Sequence, residues 1–389
     1  MTLLREKVVY FSTYPPTECG LATFTRDLAL SVASQSLVPP SVIAIEQGGE
    51  ETSKWPSEVV FVVRKNQELD YVKAAKIAND IADIVSVQHE FGIFGGEEGE
   101  FVLTFLKTLK KKAVVTLHTI LPKPDPKKQA IIQEMSQYVA SFVCMNSLAI
   151  PILEQVYGIP AYKITYIPHG APSEIPKDRE RIRKELGLSE HIVLATFGLL
   201  GPGKGIEYAI EALPRVVRRF PKTIYLILGE THPKERERRG EAYRTFLEER
   251  VHELGLEDHV RFVNRYLSLE ELADYLAATD IYITPYLNPE QITSGTLTYA
   301  LHFGKVVIST PYLSAQEALQ NGRGILVPFR NAKAIEEALL DLLGNPRRME
   351  TLQREVENLG DFYSWARVGK EYASLFAQLA QGYSALSLR

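Results

Sequence analysis

Residues 281–310 read IYITPYLNPEQITSGTLTYALHFGKVVIST, in which two apolar runs enclose a polar turn and an amphipathic segment. The first run, Ile281 to Thr284, is short and rich in β-branched and aromatic residues, as buried strands are. Apolar residues then recur at helical spacing from Leu297 to Phe303, and a strand-like run follows from Val306 to Ile308. The stretch therefore predicts a strand, a turn, a helix and a second strand, the repeating unit of a parallel sheet covered by helices.

The turn between the first strand and the helix, Gln291 to Leu297, has the features of an anion site. Thr293 and Ser294 can cap the helix, and Gly295 lets a ligand approach the backbone closely. The free amides of the first helical turn and the helix dipole favour an anion, so we predict that Thr293 through Thr296 bind phosphate. An ordinary capped helix fits this stretch equally well, and the rest of the chain must decide between the two.

Composition limits the class of protein. The chain has 389 residues, enough for two domains of ordinary size, and a formal net charge of −4. This charge provides no basic field for a phosphate backbone, so we expect no nucleic acid as a partner. Cys19 and Cys144 lie far apart in the sequence, which suits a reducing cytoplasm and argues against a disulfide framework or a cysteine zinc site.

The termini and apolar runs bear on where the protein acts. A strand-like run begins at Val8, so we expect no secretory signal before it. No apolar run reaches the length of a membrane span, and the basic residues at 107–112 support at most peripheral contact with a membrane. We therefore expect a cytoplasmic protein, and we leave open whether its copies form a homo-oligomer.

Short β-branched runs alternate with amphipathic segments along the whole chain, as in parallel sheets with helices on both faces. The predicted strands are residues 8–11, 42–45, 59–63, 84–87, 113–116 and 142–145 in the first half and 192–197, 224–228, 260–263, 281–284, 306–308 and 325–327 in the second. Between the halves, the charged stretch Asp178 to Lys184 is interpreted as a linker. We predict an α/β fold of two Rossmann-like doubly wound domains, residues 1–170 and 171–364, facing across a cleft, with a last helix at 365–389 that packs back on the first.

Ligands of such sheets bind beyond the carboxyl ends of the strands, and polar residues follow several of the predicted strands. These residues are Glu18, Gly20, His89, Glu90 and His118 in the first domain and Gly198, Lys204 and Arg265 in the second. His89, Glu90 and His118 are of the residue types that bind zinc, but their order and spacing match no metal motif. We therefore predict no metal site.

Taken together, the motifs resemble the retaining glycosyltransferases of family 4. The likeness covers nearly the whole chain and is carried by the glycine-rich first loop, Thr116-Leu117-His118, Ile167-Pro168-His169-Gly170, the loop from Phe197 to Gly205 and the strand Gly304 to Ser309. The resemblance implies the B-type glycosyltransferase fold, with the acceptor held by the first domain and the donor by the second. It also implies transfer of a hexosyl unit, with retention, from a nucleotide-diphosphate sugar to a carbohydrate or other small hydroxyl acceptor, without a metal or other cofactor.

The resemblance also assigns roles to individual residues. Gly20 is expected beside the donor phosphates, His118 near the transferred sugar and Lys204 against the diphosphate. The candidate catalytic residues are His118, Lys204 and Gln291; the candidate donor-binding residues are Gly20, Gly198, Lys204, Arg265, Thr293, Ser294, Gly295, Thr296 and Tyr299; and the candidate acceptor-side residues are Glu18, His89, Glu90 and His169.

The sequence departs from the family at three places. An arginine usually follows the glycine that Gly198 matches, and here that residue is Leu199. The family's two glutamates, which contact the sugar and the ribose, correspond to Gln291 and Tyr299. Gln291 can still bond a sugar hydroxyl, but Tyr299 cannot bind two ribose hydroxyls as a carboxylate does. Two alternatives therefore stay open: a phosphorylase or sugar-phosphate enzyme of the same fold, and a non-catalytic protein that binds sugars or nucleotides.

Overall fold

The structure, a computed structural model, describes residues 3–48, 50, 54–172, 176 and 178–382. The chain divides into two compact units, one formed by Met1–Gly170 with Phe362–Arg389 and the other by Ala171–Asp361. Each unit contains its own parallel sheet and its own buried apolar core. Among the described residues, no helix is both long and apolar enough to cross a membrane.

The first unit has a seven-stranded parallel sheet with the strand order β3-β2-β1-β4-β5-β6-β7. Its elements begin with β1 (Val8–Ser12), α1 (Gly20–Ala33), β2 (Ser41–Glu46), β3 (Val59–Arg64), α2 (Glu68–Ile81) and β4 (Ile84–His89). They continue with α3 (Phe101–Thr108), β5 (Lys112–Leu117), α4 (Pro126–Met135), β6 (Ser141–Cys144), α5 (Ala149–Gln155) and β7 (Ile164–Tyr166).

The second unit has a six-stranded parallel sheet with the order β10-β9-β8-β11-β12-β13. Its first elements are α6 (Arg179–Glu185), β8 (Ile192–Phe197), α7 (Ile206–Glu211), α8 (Leu213–Arg219), β9 (Thr223–Leu228), α9 (Pro233–Arg239), α10 (Ala242–Glu253) and β10 (Val260–Val263). The remaining ones are α11 (Leu269–Ala278), β11 (Ile281–Thr284), α12 (Gly295–His302), β12 (Val306–Ser309), α13 (Leu313–Ala318), β13 (Ile325–Leu326), α14 (Ala332–Gly344) and α15 (Pro346–Glu357).

The predicted fold class, α/β with two Rossmann-like doubly wound domains, is confirmed. Each strand predicted from the sequence is present, and the strand β7 at the edge of the first sheet was not predicted. Its three residues are too few for a clear pattern, and it pairs only with β6. The interpretation of Asp178 to Lys184 as a linker is wrong, because these residues cap and form α6. Arg179 and Arg183 of this helix form ion pairs with Asp280.

Both sheets reverse their strand order at one point, which is where a doubly wound sheet opens a crevice for ligands. In the first sheet the reversal falls between β1 and β4, and in the second it falls between β8 and β11. Helices that follow neighbouring strands on the two sides of this point run to opposite faces of the sheet. The loops after β8 and β11 therefore meet at the carboxyl edge of the second sheet.

The last helix, α16 (Trp365–Ala380), belongs to the first unit and packs on α1. Its buried stripe recurs at helical spacing and joins the core that includes Phe24 and Leu28 of α1. The stripe comprises Trp365, Val368, Tyr372, Leu375, Phe376 and Leu379. Gly369 lies where α16 meets Ser31, and a Cβ there would lie 2.1 Å from the Ser31 Oγ atom and 2.8 Å from its carbonyl carbon.

Candidate active site

The loop after β8 carries Lys204 on a short 3-10 turn, Pro202–Lys204. The turn ends at Gly205, whose φ of +62° is left-handed. A Cβ at Gly205 would lie 2.3 Å from the carbonyl oxygen of Pro285, which follows β11. The amide of Leu287 also donates a 2.9 Å hydrogen bond to the carbonyl of Gly203. The turn that carries Lys204 is thus fastened to the segment between β11 and α12.

The first turn of α12 is capped by Ser294, whose Oγ accepts a hydrogen bond from the amide of Leu297 at 3.3 Å. Gln291 braces the preceding loop by donating from Nε2 to the carbonyl of Thr293 at 3.2 Å. The first amides of a helix have no partner within it, so those of Gly295 and Thr296 point out of its N-terminal end. This end of α12 can bind an anion.

Tyr286 joins the Lys204 turn to α12. The Lys204 ammonium lies 3.9 Å from the centroid of the Tyr286 ring, as in a cation–π contact. The hydroxyl of the same tyrosine hydrogen-bonds the hydroxyl of Thr296 at 2.9 Å. The structure therefore brings together the predicted residues Lys204, Ser294, Gly295 and Thr296 in one unit.

Gly198 follows β8 and lies close to Thr296 in the first turn of α12. Its φ is +126°, and a Cβ there would lie 3.3 Å from the Cγ2 atom of Thr296. A Cβ on Gly229, at the end of β9, would lie 2.2 Å from the carbonyl oxygen of Gly198. Two glycines thus let the ends of β8 and β9 and the first turn of α12 approach one another closely.

Arg265 and its neighbours lie after β10 in the same unit. The Arg265 guanidinium forms a two-pronged ion pair with Glu271, which also completes the capping box of α11. Beside it, the buried Arg244 donates to the Oδ1 atom of Asn264 and, at 3.1 Å, to the carbonyl of Gly229. The sequence reasoning did not include Arg244. Local sequence does not show that this helix residue bonds the segments that follow β9 and β10.

In the first unit, His118 and His169 share one aromatic partner. The Phe24 ring contacts His118 edge-on at 4.6 Å between centroids and His169 at 4.9 Å. The Nε2 atom of His118 lies 3.1 Å from Oε1 of Gln88, and Nδ1 of His169 donates to the carbonyl of Gly170 at 2.7 Å. Burial lowers the pKa of His169 to about 4 and holds the pKa of His118 well below its usual range. Both rings are therefore neutral at pH 7.

His89 ends β4 as the sequence suggested, but its side chain lies inside the unit rather than at the rim of the sheet. The residue is 0% exposed, and its ring stacks on Phe94 and meets Phe91 edge-on. Burial lowers the pKa of His89 to about 3. The prediction that His89 lies on the acceptor side is therefore not supported, because its side chain is inaccessible.

The other first-unit candidates surround the loops after β1 and β4. Glu90 accepts hydrogen bonds from the amide of Phe91 at 3.0 Å and from the hydroxyl of Thr119 at 2.5 Å, so it braces the loops after β4 and β5. Gly20 begins α1, and the side chain of Glu18 is exposed just before it. In the described part of the chain, no three His, Cys, Asp or Glu side chains are grouped as metal ligands would be.

Residues 178–358 match the sequence model of a family described as glycosyl transferases group 1. The matched residues make up most of the second unit. The likeness to this group that the motifs indicated is thereby confirmed.

The chain is also similar to individual proteins. A GDP-mannose-dependent monoacylated alpha-(1-6)-phosphatidylinositol monomannoside mannosyltransferase of Corynebacterium glutamicum is 22% identical over 370 residues, which are 90% of this chain and 91% of that one. Mannosylfructose-phosphate synthase of Agrobacterium fabrum is 29% identical over 60% of this chain and 52% of its own. The crystal structure of Anabaena HepE in complex with UDP shares the fold, with a TM-score of 0.76 and 16% identity, over 96% of this chain and 100% of that one.

Two positions of the second unit differ from the pattern that the family resemblance implies. Tyr299, which stands where a ribose-binding glutamate is expected, is buried with its ring centroid 6.1 Å from that of Phe197. Gln291, at the place of the other glutamate, bonds within its own loop. Neither position supplies a carboxylate to a donor.

Proposed function

We propose that this protein is a retaining glycosyltransferase that moves a hexosyl unit from a nucleotide-diphosphate sugar to a hydroxyl group of a carbohydrate or other small acceptor. The observation that carries the proposal is the junction of the Lys204 turn with the first turn of α12 through Tyr286. A lysine cation and a helix N-terminus both favour a diphosphate, and here one side chain separates them. The site is therefore suited to an anionic leaving group.

The chemistry of such a transfer needs stabilisation of the leaving group more than it needs a nucleophile. The bond between the anomeric carbon and the phosphate oxygen breaks with its electron pair left on the diphosphate. The acceptor oxygen forms the new bond on the same face of the sugar, and its proton passes to a phosphate oxygen. Lys204 and the amides of Gly295 and Thr296 are proposed to stabilise the developing charge.

The nucleotide part of the donor is supported by the names of similar proteins. The Corynebacterium relative is described as GDP-mannose-dependent, and HepE was solved with UDP. We therefore propose a nucleoside diphosphate as the leaving group. The roles given to Gly20, His118 and Gln291 by the family resemblance, and the absence of a metal requirement, remain predictions.

Tyr299 favours a second candidate, a retaining phosphorylase or an enzyme that uses a simple sugar phosphate. Its phenol replaces the carboxylate expected to bind the ribose and is buried near Phe197. An enzyme that binds inorganic phosphate has no ribose to recognise, so this substitution would not impair it. The anion site at Lys204 would serve either substrate.

Thermal unfolding in the presence of UDP, GDP, ADP or inorganic phosphate separates the two candidates. A ligand of the native state at about 100 times its Kd adds about 2.7 kcal/mol, which raises Tm by roughly 5–10 °C for a unit of this size. We expect at least one nucleoside diphosphate to raise Tm, and inorganic phosphate to have no effect at the same concentration. Stabilisation by phosphate without any nucleotide would overturn the proposal in favour of the phosphorylase.

A further inference from the structure

Tyr286 lies two residues after β11, where contacts with Tyr312 and Thr310 hold it in place. It is 1% exposed, and its ring stacks on Tyr312 at 5.5 Å between centroids with 20° between the planes. The hydroxyl of Thr310 donates a 2.5 Å hydrogen bond to the Tyr286 carbonyl. Because its ring and backbone are both fixed, Tyr286 can hold whatever contacts its other side.

The other side of Tyr286 contacts both anion-binding elements. Its ring supports the Lys204 ammonium at 3.9 Å from the centroid, and its hydroxyl bonds the Thr296 hydroxyl, which lies 3.3 Å from the Oγ of Ser294. A free lysine side chain samples many rotamers, and the entropy lost on fixing it opposes binding. A rigid aromatic surface beneath the ammonium removes part of that freedom before the ligand arrives.

We propose that Tyr286 is a positioning residue that holds the Lys204 ammonium in register with the first turn of α12, so that both meet the donor diphosphate together. The inference rests on the proposed function and deepens it. The set of site residues drawn from the sequence did not contain Tyr286, because nothing in the pattern places its ring under Lys204.

The charges around Tyr286 give this role a pH dependence. The titratable and charged groups that face it are Lys204 from the β8 loop, Tyr225 from β9, Tyr282 from β11 and Tyr312 after β12. Burial alone would raise the pKa of the Tyr286 phenol, but the Lys204 ammonium and the hydrogen bond with Thr296 outweigh it and lower that pKa below its ordinary value. Loss of the proton would put a negative charge beside Lys204, so anion binding is expected to weaken at alkaline pH.

Three full-length variants test the role. Tyr286→Phe keeps the ring and removes the hydroxyl, whereas Tyr286→Leu removes both. Tyr372→Phe is the matched control, since it removes a buried tyrosine hydroxyl that bonds Thr116 in the first unit instead. Two measurements are made on each protein. NMR of protein labelled with [13Cε]lysine follows the Lys204 signal, assigned with Lys204→Arg, and calorimetry measures the affinity for UDP and pyrophosphate at pH 7.5 and 9.5.

We expect the Lys204 methylene protons to be shifted upfield by the ring in the wild type, in Tyr286→Phe and in Tyr372→Phe. The shift should disappear in Tyr286→Leu. Affinity at pH 7.5 should fall about ten- to one-hundred-fold in Tyr286→Leu and about three-fold in Tyr286→Phe. Tyr286→Phe should also lose less affinity between pH 7.5 and 9.5 than the wild type does, which a merely structural role would not produce.

Three results would overturn the inference, and they are distinguishable. An unchanged Lys204 signal in Tyr286→Leu would show that the ring does not position the lysine, whatever the donor is. Loss of the upfield shift in Tyr286→Leu with unchanged affinity would leave Tyr286 as a structural contact only. A wild type that binds neither UDP nor pyrophosphate, while the Lys204 signal still responds to Tyr286→Leu, would overturn the proposed function and with it the role in anion binding.

Discussion

Lys204 supplies the positive charge of the candidate site, and its ammonium lies against the Tyr286 ring. Lys204→Met keeps the length of the side chain and removes the charge. Hydrogen bonds to charged groups contribute roughly 1.5–3 kcal/mol, so we expect the affinity for UDP to fall about ten- to one-hundred-fold. Calorimetric titration measures this directly. Lys222→Met is the control, because Lys222 is an exposed lysine of the same unit paired with Glu190. A change of less than two-fold in Lys204→Met would contradict the role.

The histidines illustrate how far single residues could be predicted. The sequence placed His89 and His118 after neighbouring strands; in the structure His89 is the last residue of β4 and His118 follows β5. Side chains alternate between the faces of a strand, so the end of a strand does not reveal which residue points inward. His89 stacks on Phe94 inside the unit, whereas His118 meets Gln88 and Phe24. The contact of Phe24 with both His118 and His169 depends on packing between distant segments, which local sequence cannot show.

At the scale of elements, α11 and β12 are connected by a half-buried lysine. The Lys305 ammonium donates to the carbonyls of Ala277 and Thr279 at the end of α11, at 3.3 and 3.1 Å. Burial, with help from the nearby Arg179, lowers the pKa of Lys305 to about 8. An unfolded lysine titrates near 10.4, so between about pH 8 and 10.4 the unfolded chain binds more protons than the native one. The contribution of Lys305 to stability therefore rises with pH across this window and is lost as pH falls through 8.

Replacement of the lysine isolates this effect. We expect the difference in stability between the wild type and Lys305→Met to grow in favour of the wild type by about 2–2.5 kcal/mol from pH 7.5 to pH 10. Differential scanning calorimetry of both proteins at both pH values measures it, and titration of other groups cancels in the comparison. Lys222→Met should show no such growth. A constant difference between Lys305→Met and the wild type would show that the lysine titrates normally.

Elements with a strong apolar period were predictable from the sequence, whereas the charged helix α6 and the three-residue strand β7 were not. The strands from Ile192 to Phe197 and from Ile281 to Thr284 have the bounds read from the sequence, because buried parallel strands are continuous β-branched runs. The helix Arg179–Glu185 has little apolar surface, so its charges suggested a linker. Its position depends on ion pairs with Asp280, about one hundred residues away, which local sequence cannot show.

On the scale of the whole molecule, the chain leaves the first unit at Gly170 and returns to it at Phe362. The returning helix α16 approaches α1 most closely at Gly369, opposite Ser31. Glycine inside a helix is less favourable than alanine by about 0.5–1 kcal/mol, so helix propensity alone would make Gly369→Ala stabilising. Packing predicts the opposite sign, because the added Cβ would lie within 2.8 Å of the Ser31 carbonyl carbon and one of the two segments must move.

Because packing and propensity predict opposite signs for Gly369→Ala, its unfolding temperature tests how closely the returning helix packs. Both tryptophans, Trp55 and Trp365, lie in the first unit, so their fluorescence follows its unfolding separately from the second. Overpacking of this kind costs about 1–3 kcal/mol, and we expect Tm to fall by roughly 3–8 °C. Gly20→Ala is the control, since Gly20 lies in α1 of the same unit and a Cβ there would meet nothing within 4 Å. A Gly369→Ala protein at least as stable as the wild type would mean that α16 and α1 pack less closely than the structure describes.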